Sequence, residues 1–146
     1  MMKPIIVIID GQGGKIGSLI IEKLTTLTPK AELIAVGTNS IATSAMLKAG
    51  AKYGATGENS VVVNCRDADV IVGPIGILAA DSLFGEVTAV MANAVGGSGA
   101  KKVLIPLNLD RCKLYVAGMN DLTLNEMISA ACGYIREIVV DKSGDL

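Results

Sequence analysis

The sequence predicts an α/β protein: a single, three-layer, Rossmann-like doubly wound domain whose sheet is mostly parallel. Three observations lead there. Short β-branched apolar runs alternate with helix-patterned stretches at the rhythm of βαβ units. Several of the runs are apolar throughout instead of alternating, as strands covered on both faces are. The first run passes through a glycine-rich turn directly into a helix, the order of a phosphate-binding Rossmann half.

Taken in order, the run from Pro4 to Ile9 stops at Asp10, and Gly11, Gly13, Gly14 and Gly17 follow. Ile16, Leu19, Ile20, Leu24 and Leu27 then recur on one side of a helix. Thr28-Pro29-Lys30 ends that helix, and Leu33–Gly37 reads as a second strand. Thr38, Asn39 and Ser40 are helix-capping types ahead of a helix over 41–48, with Gly50 as its stop. A brief strand is expected over 52–55, and Thr56–Asn59 opens a helix reaching Cys65. Asp69–Gly73 is a buried strand. Pro74-Ile75-Gly76 turns the chain into a helical region, broken near Gly85 and resumed through Val95. A glycine loop over 96–99 precedes a strand over 102–107. Between Leu107 and Lys113 there are too few residues for a parallel crossover, which needs about a dozen or more. Leu114–Gly118 is therefore expected as an antiparallel strand at or near the sheet edge. Asp121 opens the last helix, to about Val139, with Leu124, Met127, Ile128, Ala131, Tyr134, Ile135 and Ile138 on one face.

Composition narrows the function. Hydrophobic residues make up 51% of the 146, which a parallel sheet buried on both faces explains, and in addition a second copy is expected to cover part of the apolar surface. A net charge of −1 with 3% aromatics argues against a nucleic-acid partner. The absence of His removes Ser-His-Asp and Cys-His catalysis and the familiar zinc sites, and no metal is expected. Three widely spaced cysteines suit a reducing cytoplasm. No membrane partner is expected, because the longest apolar run, Val70–Ala80, contains Pro74 and is too short to span a bilayer. Met1-Met2-Lys3 opens like a signal peptide, but the following run ends at Asp10 with no small-residue cleavage site.

Ligands of open α/β sheets lie beyond the carboxyl ends of the strands, where strand order reverses. Four polar or glycine-rich segments are expected to meet at that edge and supply the nucleotide-binding candidates. They are Asp10, Gly11, Gln12, Gly13, Gly14, Lys15 and Ile16; Thr38, Asn39 and Ser40; Gly73, Pro74 and Ile75; and Asn108 with Arg111. Amides at the start of the first helix, together with its dipole, make an anion site. A turn whose glycines only allow close packing would read the same way. The spacing is Gly11-x-x-Gly14-x-x-Gly17, not G-x-G-x-x-G, and Walker A fails at Ile9 and Ile16.

An NAD site usually carries an acid about twenty residues beyond the glycines. Here Gly37-Thr38-Asn39-Ser40 fill that place, which tilts the cofactor slightly from NAD towards NADP, although capping explains the same residues. Asp10 either caps amides of its own turn or holds Mg²⁺ or a ribose hydroxyl. Cys112 is either an inert thiol or a nucleophile activated by Arg111. The catalytic residues stay unassigned.

The phrases Asp-Gly-Gln-Gly-Gly at 10–14, Gly-Thr-Asn-Ser-Ile-Ala-Thr-Ser-Ala-Met-Leu-Lys-Ala-Gly at 37–50, Gly-Ala-Thr-Gly-Glu-Asn at 54–59 and Gly-Pro-Ile-Gly-Ile at 73–77 resemble one small bacterial family. That family is classified only as a domain of unknown function and consists of stand-alone Rossmann-like proteins. The likeness runs from about Lys3 to the final helix, and it implies the fold but no reaction. The glycine turn alone resembles extended short-chain dehydrogenases. Their Tyr-x-x-x-Lys pair is missing, since Gly57, Met119 and Ile138 stand four residues beyond the three tyrosines. The expected function is nucleotide binding, with NAD(P) first, by a binding or sensing module. The alternatives are a small NAD(P)-dependent oxidoreductase or transferase completed across a dimer, and an Mg²⁺-dependent nucleotide hydrolase using Asp10.

Overall fold

In the computed structural model, residues 2–143 are described. The chain runs β1 (Ile5–Asp10), α1 (Lys15–Leu27), β2 (Glu32–Gly37), α2 (Ser40–Ala49), β3 (Tyr53–Thr56), α3 (Glu58–Arg66) and β4 (Val70–Pro74). A single 3₁₀ turn (Ile75–Leu78), α4 (Ala89–Gly97), β5 (Lys101–Ile105) and α5 (Leu124–Ser143) complete it. The five strands lie in the order β3-β2-β1-β4-β5, and every neighbouring pair is parallel. The order reverses between β1 and β4, so the carboxyl ends of these two strands flank the topological switch point.

The continuous apolar character of β1 follows from its place at the centre. Ile6 and Ile8 enter one core with Ile20 and Leu24 of α1, Met46 of α2 and Ile135 of α5. Val7 and Ile9 enter a second core with Val61 of α3 and with Met91 and Val95 of α4. Full burial of each such side chain stabilises the fold by about 1.5–3 kcal/mol. Three layers result, with α1, α2 and α5 on one face and α3 and α4 on the other.

The helix starts are locally encoded. Asn39 Oδ1 accepts from Ala42 N at 2.9 Å to cap α2, and Thr88 Oγ1 accepts from Met91 N at 3.1 Å to cap α4. At α5, Thr123 Oγ1 accepts from Glu126 N (3.2 Å) while Glu126 Oε1 accepts from Thr123 N (3.0 Å), a reciprocal capping box. That box starts α5 at Leu124, three residues after the expected Asp121.

Two expectations fail. Leu114–Gly118 is not an antiparallel strand: the sheet ends at β5, and Tyr115 is 89% exposed. Left-handed backbone at Asn108 (φ 52°) and Lys113 (φ 55°) curls the chain into turns that close on themselves, with Leu114 N donating to the Leu109 carbonyl at 2.9 Å. The chain is thereby turned aside before it can pair along β5. Ahead of the break expected near Gly85, the helical region from Pro74 is confined to one 3₁₀ turn, although it resumes as expected in α4. Residues 79–87 form a knot of turns with left-handed backbone at Asp81, Leu83, Phe84 and Gly85.

Candidate functional site

The carboxyl end of β1 turns its own acid inward. Asp10 is only 4% exposed; its Oδ1 accepts from Gly11 N at 2.8 Å and its Oδ2 from Gly17 N at 2.7 Å. The side chain thus ties the first turn of α1 to the end of β1. Burial pushes its pKa above the ordinary carboxylate value, against the hydrogen bonds from Gly17 and Gly11, and the nearby Glu86 charge adds to the upward push. The Asp10 carbonyl accepts from Thr38 N at 3.0 Å, which sets the β1 and β2 ends side by side.

The glycines of the turn do different things. Gly14 caps α1 with φ 74°, and a Cβ there would lie 2.8 Å from the Ala42 carbonyl oxygen, so it permits α1 to pack on α2. Gly17 faces Met46, and a Cβ on Gly11 would strike Thr38 Oγ1 (2.5 Å) and Glu86 Oε1 (2.9 Å). Only Gly13 opens onto empty space: a Cβ there meets nothing within 4 Å. Among the described residues, the Gly13 and Lys15 amides have no hydrogen-bond partner. Both residues are exposed, and Ile16 is half-buried against the core below α1.

Beside this turn lies a residue that the sequence reading missed. Glu86 reaches across from the 79–88 segment. Its Oε1 accepts from Gln12 N (2.9 Å), Thr38 Oγ1 (2.6 Å) and Asn39 Nδ2 (2.8 Å), and its Oε2 from Gln12 Nε2 (2.6 Å). Asn39 Nδ2 also donates to the Gln12 carbonyl at 2.9 Å. Burial pushes the Glu86 pKa up, but the bonds from Thr38, Gln12 and Asn39 outweigh it and hold the carboxyl below the ordinary value. The nearest sequence signal was the helix break at Gly85. Nothing local announces a contact spanning 74 residues.

Next to the cluster, a cavity of about 320 Å³ is lined by Gln12, Asp81, Ser82, Leu83, Phe84, Asn108, Arg111 and Cys112. The Arg111 guanidinium sits 5.2 Å from the centre of the Phe84 ring, a cation–π distance. Gln12 belongs to both the cluster and the cavity, so it joins the candidates Thr38 and Asn39 to Asn108 and Arg111. The remaining candidates stand apart. Gly73 and Pro74 are buried in β4, Gly73 against the Ile9 carbonyl, while Ile75 is half-buried in the 3₁₀ turn and Ser40 is exposed at the start of α2. Burial pushes the Cys65 and Cys132 thiols up to about 11, which makes both poor nucleophiles.

No helix among the described residues is long and apolar enough to cross a membrane. No curated protein matches the chain. The chain is similar to the crystal structure of a dodecameric FMN-dependent Ubix-like decarboxylase from Escherichia coli O157:H7, at 20% identity and a TM-score of 0.46, with 98% of this chain and 95% of that chain covered. The family described as "Domain of unknown function (DUF3842)" matches residues 5–140, nearly the whole chain. The protein is a member of that family.

Proposed function

We propose that this protein binds a nucleotide at the switch point between β1 and β4, with NAD(P) as the leading candidate, and that it serves as a binding or sensing module. The observation that carries the reading is the turn over 11–16. Its Gly13 and Lys15 amides are unpartnered among the described residues at the start of α1, and Gly13 leaves the space that a close-lying pyrophosphate needs. In this reading those amides and the α1 dipole hold the phosphates. Gln12 carries the ligand towards the neighbouring cavity, whose volume of about 320 Å³ suits one end of a dinucleotide. Asp10 does not oppose the phosphates as a free charge, because both of its oxygens are taken by amides of its own turn. The same bonds disfavour the Mg²⁺-hydrolase reading, which needs those oxygens for the metal.

A second reading, a small oxidoreductase or transferase, draws on Asn108, Arg111 and Cys112 lining one cavity. We also propose self-association, supported by the 51% hydrophobic content and by the exposed Tyr115, Met119 and Leu122 beyond β5. A cytoplasmic setting is proposed from three free thiols, two of them buried. Incubating the purified protein with a nucleotide mixture and identifying what it retains by mass spectrometry tests the main reading. Retention of an adenine dinucleotide is expected, and retention of no nucleotide overturns it. Turnover of a retained dinucleotide moves the enzyme reading to first place.

A further inference from the structure

Resting on the nucleotide-binding reading above, we propose that Glu86 is the specificity-determining residue of the site: it accepts the ribose hydroxyls of the dinucleotide, so the ligand class is NAD and not NADP. In a Rossmann unit the acid that selects NAD stands at the end of the second strand, where it accepts from the ribose 2′-hydroxyl and repels a 2′-phosphate. The end of β2 in this chain has Thr38 and Asn39 instead. The fold brings a carboxylate to them from a distant segment, with Thr38 Oγ1 and Asn39 Nδ2 donating to Glu86 Oε1 at 2.6 and 2.8 Å.

Three features fit this role. The carboxylate is fixed on both sides, since the Gln12 amide of the glycine turn also donates to Oε1 at 2.9 Å. It therefore sits between the turn and the end of β2, where a ribose attached to the turn-bound phosphates lies. Its acceptor capacity is unevenly used: Oε1 takes three hydrogen bonds, whereas Oε2 takes one, from Gln12 Nε2 at 2.6 Å. Oε2 keeps room for a hydroxyl donor. Finally, Thr38 and Asn39 are the donors that a 2′-phosphate would use, and both are engaged by a negative charge. Arg111, the cation of the adjoining cavity, lies over the Phe84 ring. The slight tilt towards NADP that the bare sequence suggested is thereby reversed.

The segment carrying Glu86 is built to hold it. Asp81 N donates to the Val87 carbonyl at 2.7 Å, and the buried Ser82 hydroxyl donates to the Gly76 carbonyl. Gly11 lacks the Cβ that would strike both Thr38 Oγ1 and Glu86 Oε1.

Titration calorimetry of the whole chain with NAD⁺ and with NADP⁺ tests the proposal. Wild type is expected to bind NAD⁺ at least about tenfold more tightly, since placing like charges together is strongly unfavourable. Glu86→Gln keeps an acceptor for Thr38 and removes the charge, and it should bring the two affinities within about threefold by weakening NAD⁺ and strengthening NADP⁺. Glu86→Asp retains the charge and should retain the NAD⁺ preference if it folds. Equal or tighter binding of NADP⁺ by wild type overturns the proposal, and this measurement depends on no variant. A parallel gain for both nucleotides in Glu86→Gln also overturns it, because Glu86 would then be a competitor for the ligand's anion. Binding of neither dinucleotide overturns this proposal and the NAD(P) assignment, while the broader nucleotide reading stands or falls on the retention experiment above. Unselective binding of both overturns this proposal alone.

Discussion

The turn after β1 and the segment after β4 leave adjacent strands at the same edge of the sheet, yet they use an acid in opposite ways. The first is short and closes on itself: Asp10 is buried, and both of its oxygens serve amides within the turn. The second wanders through four left-handed residues and delivers Glu86 outward, onto the Gln12 amide and the side chains at the end of β2. Each carboxylate accepts backbone N–H bonds. Burial wins at Asp10 and raises its pKa; at the rim the hydrogen bonds win and lower that of Glu86. One acid is therefore part of the frame, and the other lies at the rim, where the proposed ligand would bind.

The largest effect is expected from forcing the first region open. Valine at Gly14 must adopt φ 74° with its Cβ 2.8 Å from the Ala42 carbonyl oxygen. Backbone strain and overpacking add, so Gly14→Val should lose about 3–5 kcal/mol in urea denaturation. A variant as stable as wild type would show that α1 and α2 do not meet at this glycine.

Asp10→Asn comes next. One amide oxygen cannot serve both Gly11 N and Gly17 N, and the new NH₂ group faces a donor. The expected loss is about 2–3 kcal/mol at neutral pH, as for a buried donor left unpaired. The pH dependence has a definite sign. The folded value of Asp10 lies above the unfolded 3.8, so its contribution is most favourable below 3.8 and declines as pH rises through the raised value. Glu86 behaves oppositely: its contribution is present above the unfolded 4.5 and is lost as pH falls through its lowered value.

The same contrast explains what was legible in the sequence. The β1 turn was readable because everything it needs lies within Ile5–Gly17: an apolar strand, an acid, glycines and a helix face. The central strands β1 and β4 were readable for the same reason, since burial on both faces leaves an unbroken apolar pattern, whereas β3 at the sheet edge is largely exposed and carries a weaker signal. Glu86 was not, because its partners Gln12, Thr38 and Asn39 are 47 to 74 residues away and its own neighbours suggested only a broken helix. Leu114–Gly118 misled in the other direction. Its apolar run satisfied a strand pattern, while the turns at Asn108 and Lys113 decided that it would not reach the sheet. Local patterns predicted the frame, and long-range contacts completed the site.

Glu86→Gln should cost less than Asp10→Asn, about 1 kcal/mol, because it exchanges charge-assisted bonds for neutral ones at a half-buried position and leaves an acceptor in place. Chemical denaturation of both proteins from pH 7 down to pH 3 checks it: the difference should shrink below pH 4.5 as wild-type Glu86 takes up its proton. A gap that stays constant over that range would mean that the carboxylate charge contributes nothing to the cluster.

The smallest effect on stability, and the sharpest separation of frame from ligand surface, is expected at Gly13. A Cβ there meets nothing within 4 Å, and the residue has no positive φ. Gly13→Ala should therefore fold with a change of no more than about 0.5 kcal/mol, as surface substitutions do. The added methyl group nevertheless projects into open space beside the amides proposed to hold the phosphates. Dinucleotide affinity should fall at least about tenfold, because close backbone approach is what a glycine at this position supplies. Gly14→Val cannot make that distinction, since it damages the packing of α1 on α2 before any ligand arrives. A folded Gly13→Ala protein that binds the dinucleotide as tightly as wild type would remove the phosphates from this turn and leave its glycines as packing devices alone.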